Sequence, residues 1–171
     1  VCAQNVLFYT SKQGLSNSRV RSLYEDSRHN IWLSTQNGLN RWDGVKWNVY
    51  RHDAGNPSSL MHDESTCVLE LERGKILVGT GAGMQIYDYA TDRFTNIPLI
   101  GAQGDTVHTR MVGFYRIKND RLIVCFTGYG HGELEKTGEG PWSITHGTEF
   151  TTGETQASPV QLLEAKQKQP V

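Results

Sequence analysis

A motif recurs at intervals of about 45 residues, and that interval restricts the fold more than any other property of this chain. Ile31-Trp32-Leu33-Ser34-Thr35-Gln36-Asn37-Gly38-Leu39-Asn40-Arg41-Trp42-Asp43 is answered 45 residues later by Ile76-Leu77-Val78-Gly79-Thr80-Gly81-Ala82-Gly83-Met84-Gln85-Ile86-Tyr87-Asp88. Apolar positions match apolar ones, Thr35 matches Thr80, Gly38 matches Gly83, and Trp42-Asp43 matches Tyr87-Asp88. A further 47 residues on, Ile123-Val124-Cys125-Phe126-Thr127-Gly128-Tyr129-Gly130-His131 puts Thr127 and Gly130 on the same two columns. This third copy then drifts, with Leu134-Glu135 where the others have aromatic-Asp. A fixed period of this length means a stacked array of similar units, each burying its faces against its neighbours.

Within each copy the apolar runs are short and turn residues separate them, which is the pattern of strands. The first copy predicts strands over Val20 to Tyr24, Asn30 to Thr35, Leu39 to Trp42 and Lys46 to Tyr50. The second predicts Thr66 to Leu71, Lys75 to Gly79, Met84 to Tyr87 and Arg93 to Ile97. The third predicts Met111 to Ile117, Arg121 to Thr127 and Glu133 to Lys136, with either Trp142 to Thr145 or Glu149 to Thr152 as its last strand. Eighteen glycines, above the average share of roughly 7%, suit so many turns. Four-stranded units of this size are propeller blades. The expected fold is all-β: a partial β-propeller of about three blades, over residues 15–51, 65–97 and 110–152, within 5–152. Residues 153–171 fit two readings. Val160-Gln161-Leu162-Leu163 matches the inner strand of a further blade, while Ser158-Pro159 followed by Gln-Leu-Leu-Glu-Ala-Lys suits a short C-terminal helix.

The run Gly14-Leu15-Ser16-Asn17-Ser18-Arg19-Val20-Arg21-Ser22-Leu23-Tyr24-Glu25-Asp26, continued by Asn30-Ile31-Trp32-Leu33-Ser34-Thr35 and Gly38-Leu39-Asn40-Arg41-Trp42-Asp43-Gly44, resembles a two-component regulator propeller repeat. The resemblance is specific from Phe8 to Tyr50, fair from Ser65 to Ile97, weak to Thr127 and barely visible beyond Leu134. In the second copy Gly-Lys-Ile-Leu replaces the family's Gly-x-Ile-Trp. Such repeats form the periplasmic sensor of hybrid two-component systems of Bacteroides-type bacteria, usually with two seven-bladed propellers and a β-sandwich. A membrane helix, a histidine kinase and a response regulator normally follow. The resemblance therefore implies a periplasmic, non-catalytic sensing module that responds to an oligosaccharide. A structural or protein-interaction propeller without a small ligand is the alternative. No kinase motif occurs in this chain.

Composition excludes several other functions. Seventeen Lys and Arg nearly cancel eighteen Asp and Glu, so there is no basic field for a nucleic acid backbone. The longest aliphatic stretch, Leu122 to Phe126, has five residues, far short of the ~20 that a membrane helix needs. Cys2, Cys67 and Cys125 form no C-x-x-C, and the six histidines show no i, i+4 pair, so no metal or other cofactor is expected. Gly81-Ala82-Gly83 and Gly128-Tyr129-Gly130-His131-Gly132 open no helix and precede no Lys-Ser/Thr, which makes them tight turns rather than phosphate loops. The pairs Glu25-Asp26 and Asp63-Glu64 fall in turns and read as solvated charge.

Trp32, Trp42, Tyr87, Trp47 and Phe94 occupy repeating columns and are expected to pack blade on blade. Contacts to a ligand are expected instead on the rim shared by the outer-to-inner connections and the second-to-third strand turns. That rim holds His52, Asp53, Arg110, Tyr129 and His131. Tyr129 and His131 replace Ala82 and Met84 of the second copy with groups that stack on or hydrogen-bond a sugar.

Val1-Cys2-Ala3 before Gln4 has small residues where a signal peptidase reads, so residues 1–4 are expected to be the remnant of a secretory signal. Three blades do not close a ring of four to eight. The chain is therefore expected to self-associate or to need the missing blades of a parent sensor. Val6-Leu7-Phe8-Tyr9 is a β-prone strand with no partner blade of its own.

Overall fold

The computed structural model describes residues 9–99, 106, 108–117, 121–128, 130–136 and 142–148. Among these, twelve strands make three four-stranded antiparallel sheets. The first sheet holds β1 (Val20–Glu25), β2 (Ile31–Thr35), β3 (Gly38–Trp42) and β4 (Trp47–Tyr50) in that order. The second holds β5 (Ser65–Glu72), β6 (Lys75–Thr80), β7 (Met84–Asp88) and β8 (Arg93–Ile97). The third holds β9 (Met111–Arg116), β10 (Leu122–Phe126), β11 (Gly130–Lys136) and β12 (Trp142–Thr148). Each is a meander of neighbours in sequence, so the three units are propeller blades. The fourth strand of the third blade is thus the Trp142 alternative. Glu149 to Thr152, residues 153–171, the N-terminal segment before Tyr9, and Tyr129 lie outside the described residues.

The repeating columns are explained by local turn chemistry. Thr35 Oγ1 donates to Gly38 O at 2.8 Å and accepts from Asn37 N at 3.2 Å. Thr80 does the same with Gly83 O (3.0 Å) and Ala82 N (3.2 Å). Gly38 is required by its φ of 124°, and because a Cβ there would lie 2.8 Å from Tyr50 O. The Asp of each aromatic-Asp pair closes the next hairpin. Asp43 accepts from Val45 N and Lys46 N, and Asp88 accepts from Ala90 N.

The sheets stack face to face through their inner strands, β1 against β5 and β5 against β9. The middle sheet is covered on both faces, which is why Ile76-Leu77-Val78 is continuously apolar. Ile76 and Val78 pack toward the first sheet with Trp32, Leu39, Tyr87 and Phe94. Leu77 packs toward the third with Cys67, Met84, Met111 and Val124. Each such side chain, fully buried, stabilises by about 1.5–3 kcal/mol.

Two further features repeat without being visible as motifs. Leu15 and Leu60, 45 residues apart, are both buried and anchor the segment leading into each inner strand. A buried amide holds that segment's backbone. Asn40 Oδ1 accepts from Ser16 N at 2.8 Å, and Gln85 Oε1 accepts from Met61 N at 2.8 Å. Each inner strand also begins with a β-bulge, whose extra residue is Arg21, Thr66 or Val112.

Trp32, Tyr87 and Phe94 pack between blades as expected, whereas Trp42 and Trp47 do not lie between any two of the described sheets. Arg41 reaches across to Tyr87, so its neighbour Trp42 and the paired Trp47 lie on the opposite face of the first sheet. There they meet the ring of Tyr9, with centroids 5.1–5.7 Å apart. Leu23, opposite Leu33, is on the same face and is 67% exposed.

Candidate functional site: the rim at the inner strands

The connection between the first two blades builds the rim. It leaves β4 and crosses the edge of the second sheet from outside to inside. Phe94 N donates to Ser58 O, Gln85 Nε2 donates to Ser59 O, and Gly81 N donates to Glu64 O. One residue earlier, Asp63 O accepts from Gly38 N at 2.6 Å. Adjacent carbonyls of one connection thus tie down the turns of two neighbouring blades.

His52 and Asp53 open this connection and serve it. His52 N donates to Asp63 Oδ1 at 2.8 Å, and its Nδ1–H donates to Leu60 O at 3.0 Å. Asp53 Oδ1 accepts from Gly55 N at 2.9 Å, and Asp53 N donates to Ser59 Oγ at 3.0 Å. Both are exposed, but their polar groups fold the loop. His131 is half-buried on β11, in register with Cys125. Tyr129, and with it the Tyr129–His131 pair, lies outside the described residues.

Arg110 is different. Its backbone carbonyl accepts from Thr127 N at 2.9 Å, which fixes it at the start of β9. Its Nη1 lies 2.6 Å from Glu64 Oε1. Arg21, the bulged residue of β1, places Nη2 2.6 Å from the same oxygen. One carboxylate thus joins guanidiniums from the first and third sheets. Glu64 therefore departs from the expectation of a merely solvated charge. A sequence signal existed for two of the three: Glu64 and Arg110 stand two residues before their bulges, 46 residues apart, whereas the residue on that column in the first copy is Arg19 and not Arg21.

Asp26 also departs from that expectation. It is buried, and its Oδ2 accepts from Trp32 Nε1 at 2.8 Å and from Tyr89 Oη at 2.5 Å. Its Oδ1 accepts from Asn30 N and Arg28 N, both at 2.9 Å. Burial alone would raise its pKa, but the donors Tyr89, Trp32, Asn30 and Arg28 outweigh that and hold it below the ordinary carboxylate value. This ionised, saturated carboxylate locks two blades and has no proton to give. Burial likewise pushes the Cys67 thiol up to about 12 and the Cys125 thiol to about 11, far from a nucleophile's range. Among the described residues, no three His, Cys, Asp or Glu side chains converge as metal ligands, and no helix is long and apolar enough to cross a membrane.

Residues 14–37 match the family model described as two component regulator propeller. No curated protein sequence matches the chain significantly. Among solved structures, the fold resembles the extracellular domain described as that of the hybrid two component system BT3049 from B. thetaiotaomicron. The TM-score is 0.62 at 20% identity, covering 82% of this chain and 19% of that one. The corresponding domain of BT4673 from the same organism gives 0.62 at 18% identity, covering 88% and 19%. This chain therefore spans about a fifth of the length of either structure. The matched residues run from the buried Leu15 strap through the bulge of β1 to the Thr35 turn, so the opening half of the first blade of this all-β chain is similar to a two-component regulator propeller repeat.

Proposed function

We propose that this chain is part of the periplasmic sensing region of a two-component system, non-catalytic by itself, in which blades present a rim to an oligosaccharide. The observation that carries this is the regulator-propeller repeat at residues 14–37, set in a fold like those of extracellular domains of hybrid two-component systems. On this reading Arg110 contributes directly to the rim, His52 and Asp53 shape the loop beside it, and Tyr129 and His131 contribute from the third blade. The kinase lies elsewhere in the system. Titration calorimetry of the chain against a panel of plant and host oligosaccharides tests the reading. Binding of at least one member is expected; silence across the panel sinks it.

A second reading, self-association or docking of further blades without a small ligand, draws on the outer face of the first sheet. Leu23, Val49 and the Tyr9–Trp42–Trp47 rings stand there without a fourth sheet against them among the described residues. Light scattering at several concentrations tests it. A mass that rises with concentration supports association, and a constant monomer mass excludes it.

A further inference from the structure

The charge at the inner rim exceeds what joining the blades requires. Glu64 Oε1 takes Arg21 and Arg110 together, so two permanent cations share one carboxylate and the cluster carries a net charge of +1. The neighbouring acid does not balance it, because Asp63 is turned to His52 N. Nor does the adjacent ring, which carries no negative charge: His62 Nδ1 accepts from Glu64 N at 3.0 Å. Among the described residues neither guanidinium has a second acidic partner. All three side chains stay in reach of solvent, at 27% for Arg21, 37% for Arg110 and 19% for Glu64. A guanidinium presents a planar fork of donors that fits a carboxylate or sulfate group bidentately, and each fork here gives only part of itself to Glu64. The bulge matters too. It is Arg21 that β1 leaves unpaired, and the equivalent bulged residues, Thr66 and Val112, are uncharged. Bulges re-aim side chains at strand ends, and this one delivers a cation to the inner rim.

We propose that Arg21 and Arg110 form an anion subsite, with Glu64 as its resident counter-ion, that takes a carboxylate- or sulfate-bearing residue of an oligosaccharide. This rests on the sensing reading above and narrows its ligand to acidic sugars. An incoming anion displaces or shares the guanidiniums now held by Glu64, so the subsite is occupied by the protein's own carboxylate until ligand arrives.

Calorimetry with three probes tests it: a uronic-acid tetrasaccharide, a neutral tetrasaccharide and inorganic sulfate. The acidic tetrasaccharide should bind about tenfold or more tightly than the neutral one, and its affinity should fall as NaCl rises. Arg110→Gln should lose about tenfold in affinity, the scale of one charge-assisted contact. Glu64→Gln should bind the acidic probe several-fold more tightly, because the competing carboxylate is gone. Loss of affinity in Glu64→Gln would instead make the cluster a structural staple and overturn the subsite. Equal, salt-insensitive binding of both tetrasaccharides by the unaltered chain would overturn the subsite while leaving oligosaccharide sensing intact. Binding of sulfate without either sugar would mark a free-anion site and overturn the sugar assignment. Silence with all three probes overturns the subsite, and the wider panel then judges the sensing reading separately.

Discussion

Repeat-equivalent positions build the two inter-blade faces from different materials. Between the first and second sheets, Trp32 is ringed by Tyr50, Tyr87 and Tyr89 at centroid distances of 5.3–6.0 Å, with the Arg41 guanidinium 5.6 Å from the Trp32 ring. Between the second and third, the residue on the same column is Leu77, packed among Cys67, Met84, Met111 and Val124. Asp26, saturated by donors from Tyr89, Trp32, Asn30 and Arg28, corresponds to the apolar Leu71. Ser34 corresponds to Gly79, where a Cβ would lie 2.4 Å from Cys67 Sγ and 2.8 Å from Met111 Cβ. The first face is held by directional contacts around bulky rings, the second by close approach of aliphatic surfaces. One backbone plan thus accommodates either, provided that each column is matched to the one it faces.

The sharpest way to break this comparison is Trp32→Ala. It removes the largest fully buried side chain and one donor to Asp26, so a loss of about 3–5 kcal/mol is expected from urea denaturation. Leu77→Ala, on the equivalent column, should cost about 2–5 kcal/mol through its cavity alone. Gly79→Ala should cost about 1–3 kcal/mol, because Met111 Cβ is too close to its backbone to yield freely.

Acid separates the two faces next. The Asp26 pKa is lowered on folding, so its contribution is complete above the unfolded value near 3.8 and is lost as pH falls through the folded one. The melting temperature of the unaltered chain should drop across that window, and Asp26→Asn should flatten the drop while lowering the melting temperature at pH 7. An unchanged slope in the variant would remove Asp26 from the acid response.

Ser34→Ala is the smallest change. Ser34 Oγ is buried without a hydrogen-bond partner, so the substitution should stay within about 0.5 kcal/mol of neutral. It sits on the column where Gly79→Ala is costly, so equal effects at the two positions would refute the distinction between the faces.

Turn chemistry made much of this fold legible in the sequence. Thr35 and Gly38 act on each other three residues apart, and so do Thr80 and Gly83; such pairs leave a mark in any copy of the motif. Strand limits fell within three residues of the observed ones for the same reason. Asp26 was not legible, because Tyr89 stands 63 residues away and a turn carboxylate looks the same whether solvated or buried. The destination of Trp42 and Trp47 was hidden too, since a repeating aromatic column does not say which face of its sheet it occupies. At the rim, the place of Arg110 before β9 is readable from the repeat, whereas its ion pair with Glu64 and the approach of Arg21 are not. Arg21 depends on a register slip in β1, and such slips leave no compositional trace.

The buried amides of β3 and β7 have a consequence for how such a chain can be rearranged. Asn40 grips Ser16 and Gln85 grips Met61, so each sheet is clasped to chain that precedes its own first strand. The transplantable piece therefore begins at Leu15 or Leu60, upstream of the visible strands. A duplication or excision of 45 residues cut at those leucines carries clasp and sheet together, whereas one cut at Val20 or Ser65 separates them. Unequal exchange between copies would be tolerated in the first frame and punished in the second, so the clasp sets the phase in which an array of this kind can lengthen or shorten.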